Sequence, residues 1–382
     1  MSTRTLLFTD CVDFVGSACK PFDGTKKYIS TGAVDVDHIN DLDIEIVDYE
    51  GKPSRANLEV MAGDVLFAKM QGTKKTLLID SVLAKHIYST GFCAVRAKKA
   101  ILTERCLYHI LTSEMFLSQK DKNCSGATQK SITNAGLGKI VIHVPSIEEQ
   151  AAISDQLDAV INIITKREQE LVALDDLIKA RFVEMFGDPR TNPNGYEVEE
   201  LRSSCTVVTG NTPPRSVEEY YGDSIEWIKT DNIVSGRTSP TQAVECLSEK
   251  GMKVGRIVDE DAILMACIAG SIASIGRVCI TDRKVAFNQQ INAIIPKHYD
   301  VRFLYVLLQL SKDYLVEEIN MALKGILSKS KLEDKVFFVP PMELQEQFAT
   351  FVSQVDKSKV VVQKALDEAQ VLFDSLMQQY FG

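Results

Sequence analysis

VPSIEEQAAISDQLDAVINIITKREQELVALDDLIKARFVEMFG, residues 144–187, is matched without a gap by VPPMELQEQFATFVSQVDKSKVVVQKALDEAQVLFDSLMQQYFG, residues 339–382. The offset is 195 residues throughout, so Val-Pro, Glu148 with Glu343, Gln150 with Gln345 and the closing Phe-Gly coincide. A repeat of this length marks an internal duplication. In the second copy Phe348, Val352, Val355, Lys359, Val362, Leu366, Ala369, Phe373, Leu376 and Tyr380 step by four and three, the spacing of one apolar stripe on a helix. The same positions in the first copy are Ile153, Leu157, Val160, Ile164, Arg167, Leu171, Leu174, Ile178, Arg181 and Met185. Where one copy breaks the stripe with charge (Lys359, Arg167, Arg181), the other is apolar (Ile164, Val362, Leu376). Roughly 40 residues at about 1.5 Å each predict helices of about 60 Å, too long for ordinary core helices, which rarely exceed about 20 residues. Equal length and register predict that the two pair as an antiparallel coiled coil.

The remaining sequence repeats as well. Residues 1–143 read as short strands and turns (LLFTDCVDFV, KKYISTGAVDVDHI, LDIEIVDYEG, GDVLFAKM, GFCAVRAK), then a helix near 104–119, a polar loop and the apolar KIVIHVP. Residues 189–338 follow the same programme. SIEWIKT matches KKYIST, DAILMACIAGS matches GDVLFAKMQGT, RFLYVLLQLSKDYL matches the earlier helix, and KGILSKSKLEDKVFFVP matches SGATQKSITNAGLGKIVIHVP. The expected fold class is α+β: two similar mixed globules (1–143 and 189–338), each followed by a long spacer helix (144–188 and 339–382).

The net charge of −9 is uneven: −6 over 144–188 and −3 over 339–382, against +2 and −2 for the two globules. A polyanion is therefore opposed by the helices and not by the globules. Nine scattered cysteines without a CxxC pair fit reduced thiols. With no long apolar run and an acidic N-terminal stretch unlike a secretory signal, a cytoplasmic protein without a membrane partner is expected. His38, His86, His109, His143 and His298 are isolated, and no HExxH, GxSxG, P-loop or strand-following GxGxxG occurs. GSIASIG at 270–276 leads into the strand-like RVCITDR and not into a helix, which argues against a phosphate cradle. The acidic pairs Glu148–Glu149 and Asp175–Asp176 read as solvated helix surface. No metal or catalytic site is expected.

GNTPPR at 210–215, WIKTDNI at 227–233, ILMACIAGSIASIGRVCI followed by FNQQINAIIP, SGATQKSI at 125–132, and the paired VPSIEEQ/VPPMELQEQ and MFGDP/QYFG resemble, in this order, the specificity subunit of type I restriction-modification systems. The resemblance covers essentially the whole chain. It implies two target recognition domains, each reading half of a split double-stranded DNA sequence. It also implies partner subunits: adenine methylases and a restriction/translocase subunit, with S-adenosylmethionine, ATP and Mg used by those partners and no cofactor in this chain. The first globule departs from the pattern, with STGFCAVRA where the second has NQQINAIIP and without the Gly-x-Thr-Pro phrase.

DNA reading needs cations and backbone groups for phosphates, and amides, hydroxyls or guanidinium groups for base edges. In the first globule the candidates are Lys69, Gln71, Thr73, Lys74 and Lys75 after a strand, with Gln129 and Lys130. In the second they are Asn211, Thr212, Arg215, Lys229, Asn232, Arg237, Ser271, Ser274, Arg277, Lys324, Ser328 and Lys329. Asn288, Gln289 and Gln290, inside an apolar strand, read instead as groups satisfying backbone turns. A methyltransferase would need an Asn/Asp-Pro-Pro-aromatic loop, which Asn211-Thr-Pro-Pro-Arg is not. A coiled-coil adaptor of another DNA-modification or defence complex is the remaining alternative.

Overall fold

The computed structural model of the chain describes residues 3–317, 319 and 325–382. It contains two compact units, Met1–Arg167 with Ala365–Gly382, and Glu168–Lys364. The long helices are divided between the two units. Each contributes one stretch to each unit.

In the first unit β1 (Arg4–Leu7), α1 (Phe8–Cys11) and β2 (Val12–Phe14) replace the single strand read in LLFTDCVDFV. The helical turn of α1 buries Phe8 and Cys11 together, which an extended chain would point to opposite faces. Then come β3 (Lys26–Ile29), β4 (Glu45–Val47), β5 (Ala56–Leu58), β6 (Val65–Ala68), β7 (Thr76–Leu78), β8 (Ile87–Ser89) and β9 (Phe92–Ala97). α2 (Glu104–Thr112), α3 (Glu114–Lys122), α4 (Asn134–Leu137), β10 (Val141–Val144) and α5 (Ile147–Phe186) follow. The helix expected near 104–119 is two helices, because Ser113 leaves helical geometry and its hydroxyl caps α3 by accepting from Phe116 N. Val144 closes a strand; the helix begins three residues later.

One sheet has the order β2-β9-β6-β7 and a second β4-β3-β8-β5, in which β3 and β8 run parallel. All four residues of β6 are buried. Val65 and Phe67 pack with the helices, while Leu66 and Ala68 pack with Ile29 and Tyr88 of the second sheet. A strand covered on both faces loses polar alternation, which is why this segment reads as a continuous apolar run.

The second unit repeats the frame. It contains β11 (Glu197–Glu200), α6 (Leu201–Ser204), β12 (Cys205–Thr209), β13 (Tyr221–Gly222), β14 (Ile225–Ile228), β15 (Cys246–Leu247), α7 (Glu249–Val254), β16 (Ile257–Val258) and β17 (Ile263–Ala266). These are followed by β18 (Val278–Ile280), β19 (Val285–Phe287), β20 (Ile291–Pro296), α8 (Val301–Leu310), α9 (Lys312–Val316), α10 (Lys329–Glu333), β21 (Val336–Val339) and α11 (Met342–Phe381). The order β12-β20-β17-β18 reproduces β2-β9-β6-β7, and β13-β15-β14-β19-β16 reproduces the other sheet with one added strand. β14 and β19 are the parallel pair, as β3 and β8 are. β17 also divides its residues, Ile263 and Met265 toward the helices and Leu264 and Ala266 toward the second sheet.

All ten seam positions predicted on each helix are buried or half-buried. In the second unit Asp175 pairs with Lys359 at 2.6 Å, and farther along α5 Phe182 meets Phe348 farther back on α11, so the helices run antiparallel. In the first unit Tyr380 Oη donates to Gln156 Oε1 at 2.7 Å, and Leu376 shares a core with Ile153 and Leu157. Outside the predicted stripe, Phe182 and Phe186 are fully buried, and their counterparts Met377 and Phe381 are buried too. These positions face each unit's globular core, where Phe303 lies 5.4 Å from Phe182 and 4.9 Å from Phe186, centroid to centroid.

The repeated glutamines explain how each helix begins. Gln150 Oε1 accepts from Thr103 N (2.8 Å), and its Nε2 donates to Ile101 O (2.8 Å) and Pro145 O (3.1 Å). Gln345 Oε1 accepts from Asp300 N (2.9 Å), and its Nε2 donates to His298 O (3.2 Å) and Pro340 O (2.8 Å). Thr103 and Asp300 are the N-caps of α2 and α8, so one buried amide ties a long helix to its globule in each unit.

Candidate nucleic-acid interface

In each unit the central strand β6 or β17 delivers its exit loop beside the segment that precedes the last short helix. In the first unit Ile132 N donates to Lys69 O (2.9 Å) and Gln71 N to Lys130 O (3.0 Å), so residues 69–75 and 129–130 share one surface. In the second, Leu327 N donates to Cys267 O (2.9 Å), the same bond at the matching place, which sets residues 267–277 beside 326–328. The candidates Ser271, Ser274, Ser328 and Arg277 come from these two segments.

The first-unit groups differ in what they leave free. Gln129 and Lys130 are exposed. Gln71 Nε2 donates to Asp121 O at 3.2 Å and Thr73 Oγ to Met70 O at 2.6 Å, while Lys74 pairs with Glu114 at 2.7 Å. Lys75 turns away to Thr31 O (2.8 Å) and lines a cleft with Asp35, Asp41 and Asp43, an acidic setting that opposes phosphate. Lys69 is half-buried.

In the second unit a chain of bonds joins several candidates. Arg277 donates to Ser274 O (3.3 Å) and Thr230 O (3.4 Å), connecting the β17 exit to the turn after β14. Lys229 and Arg215 both pair with Glu245, and their cations hold its carboxyl below the usual range, Lys229 first. The Arg215 guanidinium lies 4.5 Å from the centroid of Tyr221 and 5.0 Å from that of Trp227, with Lys229 Nζ 5.1 Å from Trp227. Stacking and ion pairing fix these cations on a rigid aromatic base. Thr212 donates to exposed Gln289. Exposed Arg237 has no side-chain partner among the described residues.

Other candidates are spent inside the fold. Asn211 Nδ2 donates to Val254 O (2.8 Å) and its Oδ1 accepts from Arg256 N (2.7 Å). Asn232 accepts from Lys229 N (2.9 Å) and donates to Thr241 and Gln242 O. Ser328 caps α10, and Lys329 pairs with Glu333 within that helix. Lys324 lies outside the described residues. Asn288 has the structural role expected of it: buried, it accepts from Gln290 N (3.0 Å) and bonds the Gln290 side chain. Gly210 is required beside it, since a Cβ there would lie 2.1 Å from Asn288 O.

Sequence reasoning missed Glu245, Trp227 and Lys120. Glu245 is 30 residues from Arg215 in the chain, and no local pattern joins them. The nine cysteines are free thiols. Burial pushes those of Cys93, Cys106, Cys205, Cys267 and Cys279 up to about 12, far from nucleophile range. Among the described residues no group of three His, Cys, Asp or Glu is placed to hold a metal, and no helix is long and apolar enough to cross a membrane.

The family profile described as "Type I restriction modification DNA specificity domain" matches residues 14–173 and again 193–369. The chain belongs to that family. This specificity subunit is 23% identical over 360 residues to the type I restriction enzyme HindI specificity subunit of Haemophilus influenzae, covering 74% of this chain and 76% of that one. It is 24% identical over 338 residues to the MjaIX specificity subunit of Methanocaldococcus jannaschii, covering 80% and 76%. Its fold is shared with the S subunit of a type I restriction-modification system from M. genitalium (TM-score 0.60, 14% identity, 100% and 96% coverage). It is shared too with a chain from a structural study of type I restriction-modification complex assembly and conformational transition (TM-score 0.56, 19% identity, 99% and 97% coverage). The two profile matches fall on the two repeats, so the globular frames of this specificity subunit are its target recognition domains.

Proposed function

We propose that the specificity subunit reads a split duplex DNA sequence, one half through each target recognition domain, and holds adenine methylase subunits and a restriction/translocase subunit around it. The observation that carries this reading is the recurrence of one frame with one bonded loop pair, 69–75 with 129–130 and 267–277 with 326–328. Frame and loop pair are alike, while the side chains on the loops differ, as two readers of different half-sites require. Exposed Lys130 and Arg237 suit phosphates. Gln71, Gln129, Ser271 and Ser274 carry amides and hydroxyls suited to base edges. The chain acts without a catalytic group of its own, and S-adenosylmethionine, ATP and Mg belong to the partner subunits.

Partner docking by the helices is supported by their surface. α11 exposes Val360 and Val361 in the second unit, near Lys357 and Lys364, and Val371 and Leu372 in the first, near Glu368 and Asp374. Apolar side chains exposed along a helix suit protein partners.

The test is an exchange of residues 1–143 for the first globule of another specificity subunit, with the methylated sequence read in cells carrying the methylase partners. One half of the target should change and the other persist. A change in both halves, or in neither, would overturn independent reading.

A further inference from the structure

The loop leaving β6 is held from beneath by a lysine. Lys120, near the C-terminal end of α3, is 1% exposed, yet α3 otherwise buries the apolar Phe116 and Leu117. Its ammonium donates to Met70 O (3.2 Å) and Thr73 O (2.6 Å), with Thr73 Oγ at 3.4 Å and the Asp121 carboxylate at 3.4 Å. A hydrocarbon would fill this place without the cost of removing an ammonium from water. What it could not do is donate to two inward-pointing loop carbonyls, that of Thr73 and that of Met70, the latter also bonded by Thr73 Oγ. Those carbonyls belong to the residues on either side of Gln71-Gly72, with Gly72 at φ +75° making the turn.

α3 grips the loop elsewhere too, Gln71 Nε2 on Asp121 O and Lys74 on Glu114. In the second unit the residue matching Glu114 by position, the first of its helix after a capping-site serine, is Lys312. Its Nζ donates to Ala273 O at 2.6 Å, in the exit loop of β17. Both recognition loops are thus tied to the helix behind them, with the polarity of the tie reversed.

We propose that Lys120 is a positioning residue for base readout by the first unit, holding residues 70–73 in the shape that keeps Gln71 exposed while its Nε2 rests on Asp121 O. The inference rests on the reading of that loop as a recognition element. Lys120 itself, being buried, touches no DNA.

The experiment uses the full chain assembled with its methylase subunits and a library of randomised duplexes, followed by competition with single-base-pair variants of the selected sequence. Wild type should discriminate against each wrong pair in either half-site by about 5- to 150-fold. Lys120→Met should lower discrimination in the first half-site by about tenfold, leave the second half-site intact, and leave the slope of log K against log salt unchanged, since no phosphate contact is lost. Lys120→Arg, which keeps donors under the loop, should recover part of the loss. Equal loss in both half-sites, the mark of a residue needed only for folding, overturns the proposal. So does unchanged first-half discrimination, or a fall in salt slope. A wild-type complex that selects no two-part sequence overturns the underlying DNA-reading function instead.

Discussion

Replacing Gln345 by methionine keeps the side chain's length and bulk but deletes three buried hydrogen bonds, to Asp300 N, His298 O and Pro340 O. At about 1 kcal/mol each the loss is about 3 kcal/mol. With a urea dependence of about 2 kcal/mol per M, the unfolding midpoint of the second unit should fall by about 1.5 M. Trp227, the only tryptophan and 3% exposed, lies in that unit, so its fluorescence reports the transition. Gln150→Met deletes three matching bonds in the first unit and should lower that unit's stability by a similar amount, seen by far-UV circular dichroism, with the Trp227 transition in place. A shift under about 0.5 M for Gln345→Met, equivalent to about 1 kcal/mol, would refute the assignment of Gln345 as a lock. Equal displacement of the Trp227 signal by both variants would refute the locality of the two locks.

Arg237→Gln should weaken DNA binding evenly across sequences and reduce the salt slope by about one, measured by titration at several ionic strengths. Inserting seven residues into both helices, near Arg167 and Val362, keeps the stripe and adds about 10 Å of helix. The methylated motif should then gain roughly three spacer base pairs at about 3.4 Å each while its half-sequences persist. His109 is fully buried with Nε2 2.8 Å from Asp158, and burial outweighs that carboxylate to depress its pKa below 6.5. The unfolded chain therefore takes up a proton that the folded unit refuses. First-unit stability should fall as pH drops below about 6.5 and fall less in His109→Gln, as urea titrations at pH 7 and 5.5 would show.

The helix seam was legible because its cause is local: a 3.6-residue period samples one face, and two copies report the same face. Phe182 and Phe186 escaped that reading since a single stripe cannot describe a helix end covered on two sides. The coincidence of Gln150 with Gln345 was visible, but not its purpose, for its partners lie about 47 residues upstream. α1 was hidden by strand-favouring neighbours; only the need to bury Phe8 and Cys11 together makes it helical. Pattern matching drew candidates from both bonded loop pairs. It could not tell a free amide from one already occupied, so Asn211 and Asn232 looked identical to exposed Gln129. Lys120 gave no signal at all, because a lysine in a helix reads as solvated until the loop above it is known.

Each glutamine lock closes on residues of its own half of the chain: Gln150 on 101–145, Gln345 on 298–340. A genetic crossover between codons 167 and 168 would sever neither. Recombinant genes would inherit both anchor points whole and would need to agree where residues 365–382 meet the first unit, along the apolar stripe with 147–167, at the Tyr380–Gln156 bond and where Met377 and Phe381 enter the globular core. Such a stripe accepts one aliphatic side chain for another far more readily than a buried amide accepts a new partner. The architecture is therefore suited to evolving by reassortment, with new pairings of the two globular frames arising in one event instead of through successive point changes.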